Sequence, residues 1–178
     1  WLLHAALAME GLIKQVRTAM DVYDPCRKVG LVIDEWGTWH PEAEGDTGLE
    51  QQNTMRDALV AALHLNMFIR HADKVVMTNI AQTVNVLQAL ILTQADKMLL
   101  TPTYHVFDMY KQHQGSTSVQ VLVDTPSITS TGEECVEVPQ VTGAASICND
   151  ELFLTLTNNS ISGECEVQIE LLGLRLDA

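Results

Sequence analysis

The chain has 178 residues, 47% of them apolar, with a mean hydropathy of +0.08, which suits a globular protein with a sizeable core. Its net charge of −13 and pI of about 4.6 repel nucleic acid and anionic membrane, so neither is expected as a partner. No apolar run reaches membrane-spanning length, and a neutral or cationic ligand suits the acidic surface.

The chain opens "WLLHAALAMEGLIKQV", without a basic leader. It reads as the middle of an amphipathic helix, expected over 2–20, and suggests a piece of a longer protein. Asp24-Pro25 marks a turn. Residues 29–33 form a near-continuous apolar run, the pattern of a parallel strand buried on both faces. That run continues into "GLVIDEWGTWH" (30–40), an acid pair followed by two tryptophans. Residues 41–48 read as an acidic loop. Residues 50–71 read as a helix, with Met55, Leu59, Leu63 and Met67 at helical spacing and Ala58, Ala61 and Ala62 allowing close contact. "KVVMT" (74–78) is expected to be a second buried strand, 83–92 a helix, and 104–113 a helix opened by Pro102 and ended at Gly115.

Charge and periodicity both change at Gly115. Residues 1–114 hold 9 Lys+Arg and 13 Asp+Glu, whereas residues 115–178 hold only Arg175 against ten acids. Beyond that point, 118–125, 152–158 and 165–172 alternate apolar and polar residues, as half-buried antiparallel strands do. The expected domains are therefore 1–114, built from βα units of a parallel sheet, and 115–178, a partial β-sandwich. Cys26, Cys135, Cys148 and Cys165 lack zinc-ligand spacing and are expected to be free, buried thiols. This cysteine usage favours a cytoplasmic compartment.

In parallel α/β folds the chemistry sits at the carboxyl ends of the strands, where Asp34 and Glu35 fall. Strict alternation along a strand points the two acids in opposite directions, so that one faces the site and the other braces it. Trp36 and Trp39 offer faces on which sugars stack. A carboxylate beside aromatic walls suits glycoside hydrolysis; retaining enzymes place two carboxyl groups ~5–5.5 Å apart. A solvated acid pair and two capping tryptophans would account for the same letters. The sequence holds no P-loop, no G-x-G-x-x-G and no G-x-S-x-G, and the histidine spacings make poor metal pairs.

"KVGLVIDEWGTWH", "QQNTMRDALVAALHLNMFIRHADKVVMTNIAQTVNVLQALILT" and "MLLTPTYHVFDMYKQHQG" together resemble the family 51 glycoside hydrolases, the α-L-arabinofuranosidases. The resemblance covers about residues 9–125, and residues 126–178 match only as a generic β-sandwich tail. It implies the last βα units of a (β/α)8 TIM barrel followed by a partial, jelly-roll-like antiparallel sandwich. The implied activity is retaining release of terminal α-L-arabinofuranosyl groups from arabinan, arabinoxylan and arabino-oligosaccharides, with no metal or organic cofactor. It implies Glu35 as nucleophile, Gln82 as a sugar contact, Trp36 and Trp39 as aromatics around the subsite, and Asp34 as a bracing acid. Asn79 and Asn85 read as turn and packing residues, and Tyr104 and His105 as packing between barrel and sandwich. The family's acid/base is a Glu following Asn, and no Asn-Glu pair occurs here. The isolated chain is therefore expected to be inactive, and the parent protein is expected to be a homo-oligomer. A non-catalytic carbohydrate-binding protein and a barrel glycosidase of other specificity, such as an endoglucanase, are the competing readings.

Overall fold

The computed structural model describes residues 1–43, 48–130 and 135–173. The remainder of the predicted 41–48 loop, and parts of the predicted 115–178 sandwich, lie outside the described residues. Helix α1 (Leu2–Tyr23) leads to strand β1 (Leu31–Trp36), helix α2 (Met55–Arg70) and strand β2 (Val75–Ile80). β1 and β2 pair in parallel with α2 as the crossover, as the apolar runs imply, but Val32, Val76 and Met77 are exposed, which corrects the expectation of burial on both faces. α2 starts at a Thr54 N-cap, where Asp57 reaches back to accept from the Thr54 N–H at 2.7 Å. It therefore begins later than predicted, and Met55 is exposed rather than part of the buried face.

Beyond β2 the predicted helix over 83–92 is replaced by a coiled loop and a hairpin of β3 (Ile91–Gln94) and β4 (Lys97–Leu100). Asn85 at φ +62° and Leu87 at φ +49° take left-handed conformations that a right-handed helix excludes. Helix α3 (Pro102–Tyr110) follows, capped by Thr101 and continued by a 3-10 turn, Lys111–His113. Strands β5 (Thr117–Val119), β8 (Val141–Cys148) and β9 (Glu151–Asn158) form an antiparallel sheet in the order β5-β8-β9, and β6 (Ser127–Thr129) pairs with β7 (Glu137–Pro139). The predicted strand over 165–172 is coil, despite its clean alternation, because no strand partners it among the described residues.

α1 and α3 both pack on α2, and the β5-β8-β9 sheet packs on it too. Asn66 of α2 donates to Thr142 and Thr157 at 3.2 Å each, and Tyr110 donates to Asn66 at 2.8 Å. His113 bridges Ser146 at 2.7 Å and Thr155 at 3.2 Å. Together with Ser118, whose hydroxyl donates to the Ile69 carbonyl at 2.7 Å, these residues, and not Tyr104 and His105, make polar contacts between helices and sheet; His105 is exposed and pairs edge-on with Tyr104. The cysteines are free, as expected, but Cys26 and Cys135 are exposed and the other two only half-buried, which corrects the expectation of burial.

The main core gathers Ile13, Ala58, Ala61, Ala62, Met67, Phe68 and Val75 around the Trp36 ring. His64 lies edge-on to that ring, with centroids 5.3 Å apart, and its Nε2–H donates to the Ala6 carbonyl at 3.1 Å. Burial drives the His64 pKa down to about 4, against the pull of the Ala6 carbonyl. The folded state thus holds this imidazole neutral. Its contribution is complete above the ordinary histidine pKa of about 6.5 and is lost as pH falls towards 4, up to about 3 kcal/mol. Burial lowers His71 and His113 in the same direction. Thermal unfolding between pH 7 and 4 is expected to show a falling midpoint, and His64→Gln is expected to flatten that slope. An unchanged slope in the variant would show that His64 does not titrate in this window.

Candidate active site

The carboxyl ends of β1 and β2 open at one edge, where Trp36 stands opposite Ile80 and the Ala81 N–H donates to the Trp36 carbonyl at 2.8 Å. The register shifts just before this point. Ile33 faces Thr78 and Trp36 faces Ile80, so three steps along β1 match two along β2. One extra residue in β1 is the signature of a bulge. It places Trp36 on the same side as Leu31 and Ile33, packed against the helices, and leaves both Asp34 and Glu35 exposed. The expectation of strict alternation between the two acids is corrected by this bulge. An opposite shift adds Val76 to β2, and Val76 and Met77 are both exposed. The face of the sheet away from the helices is therefore apolar at its amino end and acidic at its carboxyl end.

The two tryptophans part company. Trp36 is 4% exposed, stacked on Phe107 at 5.9 Å between ring centroids and edge-on to Phe68 at 5.4 Å. Its expected place beside a sugar is corrected: the bulge turns it into the core. Trp39 is 61% exposed, in the loop immediately beyond β1.

That loop turns at Gly37, whose φ of +142° is open to glycine and strained for other residues. The Thr38 N–H then donates to Gln88 Oε1 at 2.9 Å. Thr38 Oγ1 and His40 Nε2 both donate to Asp57 Oδ1, at 2.7 Å each. Gln51 donates to the Thr38 carbonyl at 3.1 Å and accepts from the His40 N–H at 3.0 Å. Gln88 completes the set by donating to the Asp57 carbonyl at 2.7 Å and to Thr103 Oγ1 at 3.2 Å. Burial alone would raise the Asp57 pKa. Hydrogen bonds from Thr54, His40 and Thr38 outweigh it and hold the carboxyl below its ordinary value, hence ionised. Sequence reasoning missed this network, although the Thr-x-x-Asp spacing of 54–57 carries a helix-start signal.

Gln82 lies two residues beyond β2, exposed at the same edge as Glu35, and its carboxamide makes no hydrogen bond among the described residues. Asn79 is exposed on β2. Asn85 is tied to Thr93, donating to its hydroxyl at 3.0 Å and accepting from its N–H at 2.7 Å. Glu50 is exposed.

The sequence pattern of the α-L-arabinofuranosidase C-terminal domain matches residues 34–176. The chain belongs to the α-L-arabinofuranosidase family. An intracellular exo-α-L-arabinofuranosidase of Bacteroides ovatus is 41% identical over 174 residues, covering 96% of this chain and 34% of that protein. Among solved structures, the family 51 arabinofuranosidase of Xanthomonas axonopodis pv. citri superposes with a TM-score of 0.78 at 49% identity, covering 86% of this chain and 31% of that one. A thermostable family 51 α-L-arabinofuranosidase of Thermotoga petrophila gives 0.75 at 27% identity, covering 89% and 35%. The chain spans about a third of the length of these family members.

The different settings of the two tryptophans have separable consequences. Trp36→Ala is expected to lower stability by about 3–5 kcal/mol through loss of a buried aromatic. Trp39→Ala is expected to leave stability within about 0.5 kcal/mol, as exposed positions do. Denaturant unfolding of both variants measures this, and equal losses would contradict the placement of the rings.

Proposed function

We propose that the protein is a retaining glycoside hydrolase that releases terminal non-reducing α-L-arabinofuranosyl groups from arabinan, arabinoxylan and arabino-oligosaccharides. The observation that carries this reading is an exposed carboxylate, Glu35, at the carboxyl end of a parallel strand in a chain of this family. The β1-α2-β2 unit is read as the end of a (β/α)8 barrel spanning 1–114. The exposed Val32, Val76 and Met77 are suited to the interior of such a barrel, which further strands would cover. Residues 115–178 are read as part of a sandwich domain.

In this mechanism the Glu35 carboxylate attacks the anomeric carbon as the glycosidic bond breaks, and water later hydrolyses the glycosyl-enzyme ester. A second carboxyl group protonates the leaving oxygen, and we assign it to the part of the protein that this chain does not span. Asp34, exposed beside Glu35 at the bulge, braces the nucleophile. Gln82 offers both a donor and an acceptor to sugar hydroxyls, consistent with its free carboxamide. Trp39 supplies an apolar face for the sugar. Trp36 is left out of the pocket and supports the strand from behind.

The test is an aryl α-L-arabinofuranoside assay of the full-length protein. Glu35→Ala is expected to lose on the order of 10³-fold or more in kcat, with azide restoring turnover as a β-configured arabinosyl azide. Wild-type activity in this variant would remove Glu35 as nucleophile. Gln82→Ala is expected to raise KM about tenfold, the worth of one or two hydrogen bonds. The 178-residue chain alone is expected to show no turnover, and measurable turnover would place both carboxyl groups within it.

A further inference from the structure

The loop after β1 is held more tightly than a connection needs, and held at chosen points. Thr38 and His40, on either side of Trp39, are 5% and 8% exposed, while Trp39 between them is 61% exposed. The N–H, carbonyl and hydroxyl of Thr38, and the N–H and ring of His40, each meet a hydrogen-bond partner from Gln51, Asp57 or Gln88. The Trp39 side chain has no hydrogen bond or ring contact among the described residues. All the fixing is applied to its neighbours.

Asp57 is the hub, and its two oxygens divide the work. Oδ2 accepts from the Thr54 N–H and so starts α2. A cap needs no more than that. Oδ1 turns to the loop and takes both the Thr38 hydroxyl and the His40 ring. Burying a carboxylate at 0% exposure is costly unless its lone pairs are filled. Here the loop fills them. The order of α2, the most buried helix, is thereby passed to the backbone that carries Trp39.

We propose that Asp57 and Thr38 are positioning residues for substrate binding, acting through Trp39: they hold its indole out at the carboxyl end of β1 as a fixed wall for the sugar. This rests on the reading of Trp39 as a sugar contact. Neither residue touches substrate; their effect is transmitted by the loop alone.

A purely structural role for the network and a role through Trp39 differ in a double-mutant cycle. The full-length protein is assayed on an aryl α-L-arabinofuranoside, with Thr38→Val and Asp57→Asn made singly and in a Trp39→Ala background. Thr38→Val keeps the side-chain shape, removes only the hydroxyl, and reads the same link if Asp57→Asn does not fold. In the wild-type background each variant is expected to raise KM about tenfold with little change in kcat, as misplacing a binding group does. In the Trp39→Ala background neither is expected to raise KM more than about twofold, because the group they position is gone. Equal fold-rises in the two backgrounds would overturn the proposal, as would an unchanged KM for Thr38→Val. If Trp39→Ala alone leaves KM unchanged, the sugar wall and this proposal fall together. The azide experiment on Glu35 stands apart from these outcomes, so failure of the nucleophile assignment is recognised separately.

Discussion

Helix α2 meets solvent along little of its length, and ten of its sixteen residues are buried. It is enclosed by α1, α3, the β1-β2 pair and the β5-β8-β9 sheet. A helix so enclosed draws the partners of its polar groups from its neighbours, and His64 Nδ1 is a buried exception with no partner among the described residues. Its buried polar residues therefore mark its contacts. Asp57 faces the loop after β1, His64 faces α1, and Asn66 faces Tyr110 and the sheet. Losing one partner at these places would leave a desolvated group unpaired, at about 1–3 kcal/mol.

The same arrangement separates support from chemistry. Aromatic packing on the helix side of β1 holds the strand, with Trp36 against Phe68, Phe107 and His64. The acids stand on the exposed side at the strand end. The side chains proposed to bind sugar, Gln82 and Trp39, have no hydrogen-bond partner among the described residues. Those that hold the loop, Thr38, His40 and Asp57, are buried and hydrogen-bonded. This division is what preorganisation of a site requires of its scaffold.

Much of this was legible in the sequence. The continuous apolar runs of β1 and β2 named a parallel pair, but only one face of it is covered by helices; Val32, Val76 and Met77, which make the runs continuous, are exposed. The run of alanines in α2 named a closely packed helix. The failures have local causes. The 83–92 segment shows apolar spacing that suits a helix, but Asn85 and Leu87 adopt left-handed backbone that spacing cannot reveal. β8, with its sequence VTGAASIC, has small residues and no clean alternation because it is buried on both faces; a Cβ on Gly143 would lie 2.8 Å from Leu156. Residues 165–172 alternate well and yet have no strand to pair with among the described residues. The bulge in β1 left no mark in the residue pattern, so the directions of Asp34, Glu35 and Trp36 were out of reach. Asp57 and its partners were spread over 38–103, and only their meeting in space defines them.

The bulge also bears on how such a chain can change over generations. Substitutions in β1 alter one side chain at a time, and many could be absorbed. Loss of a single residue between Ile33 and Trp36 would restore regular pairing, with Trp36 still opposite Ile80 and on the helix side, and one acid on the open face in place of two. Were both acids kept in a regular ladder instead, the indole would turn out to water and Glu35 would be driven against Phe68 and Phe107. The extra residue is thus what lets two neighbouring acids share the open face while the indole stays inside, and lineages that keep both acids are expected to keep the bulge.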